Sequence, residues 1–123
     1  MNAPRYLYFN SRDEFFRVEV DKIAYFEGDG NYTSFVLTNG QKGSVLLNLA
    51  QMQAVLSDNL HEDAKMFARV GKRFIVNMRY IYRIEIQRQR LTVTDGDRFA
   101  FQLPVSKEAL KALRDICIGK PVK

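Results

Sequence analysis

Residues 65–90 carry eight basic side chains (Lys65, Arg69, Lys72, Arg73, Arg79, Arg83, Arg88 and Arg90) and one acid, Glu85. This segment has a net charge of +7 while the whole chain is only +5, because residues 1–64 hold five bases and nine acids. Phe67, Phe74, Ile75, Val76, Ile81, Tyr82 and Ile84 are interleaved with the charges, the pattern of a folded segment rather than of a solvated tail. A folded surface with a concentrated positive field attracts polyanions, of which nucleic acid is the commonest in a cell.

Bond-making chemistry has little to work with. His61 is the only histidine, and it sits in the polar stretch Asp58-Asn-Leu-His-Glu-Asp63, which reads as a loop with a solvated imidazole. No Cys/His cluster has the spacing of a zinc site. The carboxylate pairs Asp13-Glu14 and Glu62-Asp63 are sequence neighbours, whose side chains diverge on a loop or strand and do not form an acid/base couple. Gly28-Asp-Gly30 lacks the third glycine and the following helix of a dinucleotide loop, so it reads as a turn. These residues argue against an enzyme and imply no cofactor and no metal.

The elements that would position such a surface fit one domain spanning residues 1–123. The length is near the modal domain size, and 46% apolar residues suffice for a core. No repeat, low-complexity tract or Pro/Gly-rich linker divides the chain. No run approaches the roughly 18 consecutive apolar residues of a membrane span. Met1-Asn-Ala-Pro-Arg-Tyr6 lacks the apolar core of a secretory signal, so the expected location is the cytoplasm. The single Cys117 suits a reducing compartment and reads as a small buried hydrophobe near the end of a helix.

Most of the chain has the grammar of β-strands. Tyr6-Leu-Tyr-Phe9, Phe15-Phe-Arg-Val-Glu-Val20, Ile23-Ala-Tyr-Phe26 and Tyr32-Thr-Ser-Phe-Val-Leu-Thr38 are aromatic and β-branched runs, with a turn at Gly28-Asp-Gly-Asn31. Asn39-Gly40 signals a two-residue hairpin leading into a strand from Gln41 to Leu46, and Thr92-Val-Thr94, Asp95-Gly96 and Phe99-Ala-Phe-Gln102 repeat the pattern. Two segments differ. Asn48 is placed to cap a helix whose Leu49, Met52, Val55 and Leu56 share one face. Ser106 is placed to cap a second, with Ala109, Leu110, Leu113, Ile116 and Cys117 on one stripe and Gly119-Lys-Pro121 ending it. The expectation is many short strands, one short helix mid-chain and one C-terminal helix.

Four motifs in order carry a family resemblance: Ile23-Ala-Tyr-Phe-Glu-Gly-Asp-Gly-Asn-Tyr32, Leu47-Asn-Leu-Ala-Gln-Met52, Phe67-Ala-Arg-Val-Gly-Lys-Arg-Phe-Ile-Val-Asn77 and Leu103-Pro-Val-Ser-Lys107. Together they resemble the LytTR DNA-binding domain over residues 23–113. The resemblance implies a mainly β fold of small stacked antiparallel sheets with one short helix between them. It also implies a bacterial module, usually the output half of a two-component response regulator, that reads promoter DNA with loops in successive major grooves. No receiver domain precedes the match in this sequence, so a free-standing version is expected.

Carried over motif by motif, the resemblance implies DNA contacts at Asn31, Tyr32 and Thr33, at Lys72 and Arg73, and at Ser106 and Lys107. The chemistry fits: Asn pairs bidentately with adenine, Arg and Lys take guanine O6 and N7, and Ser and Lys also hold phosphates. One position departs from the family, which commonly has His where this chain has Gly71. Structural roles compete at several of these positions. Asn31 suits a left-handed turn, Tyr32 a half-buried strand position, and Asn77 a backbone hydrogen bond in the turn before Met78. Duplex DNA is the leading partner, bound by a protein that is monomeric in solution and pairs on directly repeated sites. The alternatives are a single-stranded DNA or RNA binder that stacks bases on Tyr6, Tyr8, Tyr32, Tyr80 or Tyr82, and a module docking on an acidic protein.

Overall fold

A computed structural model describes residues 5–119. Among the described residues ten strands and two α-helices follow one another, with short 3-10 turns between some of them: β1 (Tyr6–Asn10), β2 (Phe15–Glu19), β3 (Ile23–Asp29), β4 (Tyr32–Leu37), β5 (Lys42–Val45), α1 (Leu49–Leu60), β6 (Phe67–Val70), β7 (Phe74–Asn77), β8 (Ile81–Glu85), β9 (Arg90–Thr94), β10 (Ala100–Pro104) and α2 (Lys107–Ile118). The strands form three antiparallel sheets, β1-β2, β10-β9-β8 and a central β5-β4-β3-β7-β6. The expected mainly β class with a mid-chain and a C-terminal helix is what the chain adopts. None of the described helices is long and apolar enough to cross a membrane.

The central sheet is apolar on both faces because side chains alternate along each strand. Phe26, Phe35 and Ile75 join the core formed with the β1-β2 ribbon and α1. Tyr25, Val36, Phe74 and Val76 join the core formed with the three-stranded sheet and α2. In β3 the register shifts between Ile23 and Tyr25. This bulge lets Ala24 and Tyr25 both face the second core while Ile23 and Phe26 serve the first. Asn77 is fully buried at the end of β7. Its amide donates to the Ile23 carbonyl at 2.9 Å, and its side-chain oxygen accepts from Arg79 N–H at 3.0 Å. It is a backbone clamp that closes the sheet's far end.

Several local expectations need correction. The turn expected at Gly28-Asp-Gly-Asn31 is shorter, because β3 runs on through Gly28, which pairs with Thr33. Gly30 takes the left-handed conformation (φ 60°), and Asn31 does not. The Asn39-Gly40 hairpin is one residue longer than expected. Gly40 N–H closes a turn on the Leu37 carbonyl at 2.8 Å, and only Gly40 has positive φ (88°). The mid-chain helix extends past Leu56 to Leu60, and its Asn48 cap is a full capping box with Gln51. The stripe of α2 buries only Leu110 and Leu113. Ile116 and Cys117 are exposed, because the last turn extends beyond the sheets it packs on, and partial desolvation pushes the Cys117 thiol above its ordinary value. Gly119 ends α2 in the left-handed conformation (φ 86°); Lys120 and Pro121 lie outside the described residues.

The edge strand β5 depends on the absence of one side chain. A Cβ on Gly43 would come within 2.7 Å of Phe35 Cε2 and 2.9 Å of Phe16 Cε1. Phe16 meets Phe35 edge-on with ring centroids 5.0 Å apart, so this close approach joins the ribbon to the central sheet. Gly43→Ala is expected to cost about 1–3 kcal/mol of stability through overpacking. Urea unfolding checks this, with the midpoint falling and the slope unchanged.

Candidate nucleic-acid interface

Three segments meet at one end of the central sheet. β7 runs antiparallel to β3 with Phe74 opposite Glu27, so the turn 71–73 emerges beside the tip of the β3–β4 hairpin. Gly28 N–H donates to the Arg73 carbonyl at 2.8 Å, and the Arg73 guanidinium meets the Glu27 carboxylate at 2.6 Å. Gly28, Gly30, Asn48, Lys72 and Arg73 line one groove, which also brings in the start of α1. Gly71, Lys72, Arg73, Ser106 and Ala109 line a second, which brings in the start of α2. Helix N-termini carry unpaired N–H groups and a partial positive charge, so the start of α2 adds donors to the basic turn. Ser106 caps α2 through the Ala109 N–H, while Glu108 in the same first turn offsets part of that field.

The site residues expected from the sequence separate into distinct groups. Lys72 and Arg73 are exposed on their turn, Asn31 is exposed at the hairpin tip, Ser106 is exposed and Lys107 half-buried at the start of α2. Tyr32 is 53% exposed but lines a different depression, with Tyr8, Leu46 and Val55. Thr33 is a correction. It is completely buried, and its hydroxyl donates to the Leu47 carbonyl at 2.8 Å, so it anchors the segment entering α1 and has no face for a ligand. Gly71 sits at φ 62°, a conformation that L side chains rarely adopt. The histidine common in the family would be strained on this backbone. Of the stacking candidates, Tyr80 is committed: its hydroxyl donates to the Asp21 carbonyl at 2.6 Å and its ring packs edge-on against Phe99.

Two participants were missed by sequence reasoning about the site. Glu27 aims Arg73, and Arg69 bridges the turn. Arg69 Nε donates to the Gly71 carbonyl at 3.2 Å, Nη2 to the Lys72 carbonyl at 3.2 Å and Nη1 to Gln53 Oε1 at 3.1 Å. The available signal was period-two alternation: Phe67 faces α1, so Arg69 on the same strand faces it too.

Folding divides the basic run among different acidic partners. Arg69, Lys72 and Arg73 stay together, but Lys65 pairs with Glu62 and Arg79 reaches Asp21. Arg83, Arg88 and Arg90 all converge on Glu85, whose side chain is 10% exposed. The hydrogen bond from Arg90 is the main cause that holds the Glu85 carboxyl below its ordinary value; desolvation opposes it, and the Arg83, Arg90 and Arg88 charges add to it. Asp95 is also held low, chiefly by the Asp97 N–H and then by those of Arg98 and Phe99. Tyr25 is pushed upward by burial and then by the charge of Glu27. The described residues contain no group of His, Cys, Asp and Glu arranged to hold a metal ion.

An antiparallel scaffold that gathers two hairpin turns and a helix N-terminus at one basic end defines a loop-presenting binding domain. The model of the LytTr DNA-binding domain matches residues 13–117, so the chain belongs to the LytTR family of DNA-binding domains. Among solved structures, the fold is similar to one from Bacillus cereus described as the LytTr DNA-binding domain of a methyl-accepting/DNA response regulator. The TM-score is 0.64 at 19% identity, over 93% of this chain and 96% of that one. No curated protein matches the chain.

The Glu85 cluster has a pH signature. A carboxyl held low in the folded state contributes stability that is present above its unfolded value and is lost as pH falls through the folded one. Glu85→Gln is therefore expected to lower the melting temperature at neutral pH and to converge with the wild type in acid. Melting curves between neutral pH and about pH 3, below the ordinary glutamate range, check this; an equal deficit at every pH would refute the charge-based role.

Proposed function

We propose that this chain binds double-stranded promoter DNA sequence-specifically and regulates transcription, presenting its turns to successive major grooves. The observation that carries the reading is the convergence of turn 71–73, the β3–β4 tip and the start of α2 on one end of the sheet in a LytTR-family chain. On this reading Lys72 and Arg73 read guanine edges, Asn31 reads adenine or holds phosphate, and Ser106 and Lys107 hold phosphate at the start of α2. Tyr32 flanks the hairpin tip and contacts the sugar-phosphate backbone. Thr33 is left out because it is buried and bonded internally. The Bacillus cereus relative is described as part of a response regulator, and the same role as an output module in the bacterial cytoplasm is proposed here.

Selection of bound sequences from a random duplex pool tests the reading directly. A recovered motif supports it, while equal retention of single-stranded DNA or RNA at matched salt would favour the stacking alternative. On the selected duplex, log affinity is expected to fall linearly with log salt, each phosphate neutralised by a basic side chain such as Lys107 contributing about −0.9 to the slope. A flat response would exclude phosphate contacts. Lys72→Ala or Arg73→Ala at a base-reading position is expected to cost about 1–3 kcal/mol and to relax preference at one base pair. A loss shared by all sequences would assign the residue to phosphate alone.

One small module covers limited DNA, on the order of 600–1,000 Å². Neither helix offers a heptad seam for a coiled coil, since α1 buries its apolar face in the core. We infer a monomer in free solution and two copies on directly repeated half-sites about 10–10.5 bp apart. Sedimentation of free protein and titration on one-site and two-site duplexes test this, with tighter binding per site expected on the two-site duplex. A stable dimer without DNA would overturn it.

A further inference from the structure

Arg69 lies in the most basic stretch of the chain and beside the two residues proposed to read bases, so its charge suggests one more phosphate ligand. Its hydrogen bonds suggest something else. The planar guanidinium spreads three donors over three acceptors: the Gly71 carbonyl, the Lys72 carbonyl and the Gln53 amide oxygen. The first two belong to the turn itself, and Gln53 belongs to α1. The β3–β4 hairpin is referenced to the same helix, because a Cβ on Gly28 would lie 3.2 Å from Leu49 Cβ. The Gly28–Arg73 hydrogen bond and the Glu27–Arg73 pair close the loop between hairpin and turn.

We propose that Arg69 is a positioning residue of the DNA interface, holding turn 71–73 to α1 in the conformation that aims Lys72 and Arg73. The proposal rests on the DNA-binding reading above for its consequence, but the bracing itself is a property of the free protein. Lysine keeps the charge at this position but has one compact ammonium where arginine has a fork, and it cannot span three acceptors. A phosphate ligand would therefore be rescued by lysine, whereas a brace would not.

The test compares wild type, Arg69→Lys and Gln53→Ala, each as the full chain and each checked by thermal unfolding. Titrations use the duplex recovered by selection and a scrambled duplex of equal length, across a salt series. Amide hydrogen exchange at Gly28 and backbone relaxation at Lys72 and Arg73 are measured without DNA. Arg69→Lys is expected to lose roughly tenfold in discrimination between the two duplexes, comparable to a bidentate base contact, while its salt slope stays within about 0.9 of the wild type, less than one phosphate contact. Gly28 is expected to exchange faster and the turn to gain motion. Gln53→Ala, which removes one of the three bonds, is expected to move the same readouts less. Wild-type discrimination and unchanged exchange in Arg69→Lys would overturn the proposal and make Arg69 an electrostatic contact. If Arg69→Lys fails to fold, Gln53→Ala carries the same readouts, and no change in it would likewise overturn the proposal. If the wild type prefers no duplex, the DNA-binding reading fails, and the exchange and relaxation data still decide the brace.

Discussion

A five-stranded sheet with both faces buried constrains everything else in this molecule. Its strands are four to seven residues long, so few side chains per strand are available to each face. Strict alternation assigns each of them to one of two cores, and the β3 bulge corrects the assignment at Ala24. A slip of one residue in β3 or β7 would move Phe26 or Ile75 to the wrong layer. Buried Asn77 adds a directional lock, since its amide satisfies the Ile23 carbonyl and its oxygen holds the start of the next turn. A buried polar group of this kind is costly unless bonded, which limits how β3 and β7 can be aligned.

With the register fixed, the geometry of the interface follows. The β3–β4 and β6–β7 turns leave the sheet at the same end because β3 and β7 are antiparallel neighbours. α1 covers one face, and α2 packs with the second core on the other. Both helices begin at the end where the turns emerge, as the two grooves lined by Asn48 and Ser106 attest. The sheet thus sets the position of each turn, while Arg69 and Glu27 hold the orientation of turn 71–73.

Individual ion pairs on this surface contribute little to stability, since exposed pairs are worth only a few tenths to about 1 kcal/mol. Their value lies in direction. Arg73 remains 60% exposed while paired with Glu27, so a phosphate or a base edge can share the guanidinium with little rearrangement. Arg79 is drawn to Asp21 at the far end of the sheet, whereas the Glu85 cluster lies beside the start of α2, because the Gln89 carbonyl accepts from the Val105 N–H at 3.0 Å. Glu85 offsets part of the positive charge that Arg83, Arg88 and Arg90 bring to that side.

The family, the mainly β class and the two helix caps were legible in the sequence because each rests on local chemistry. Asn48 and Ser106 cap because their oxygens reach amides three residues ahead, and strand type follows from β-branched and aromatic runs. The motifs around Gly71-Lys72-Arg73 and Ser106-Lys107 likewise announced themselves by residue type and order. Other features are relations between distant residues. Nothing within a few residues of Thr33 indicates that the Leu47 carbonyl claims its hydroxyl, and nothing near Tyr80 indicates that its hydroxyl donates to the Asp21 carbonyl. Cys117 and Ile116 follow the apolar period of α2 faithfully and are still exposed, because the period fixes a face and not how far the supporting sheet extends. The sequence by itself determined which kinds of element form and that the chain carries the motifs of its family. Only the tertiary structure decided which of them share one end of the molecule, because that depends on strand register and on contacts between residues far apart in the chain.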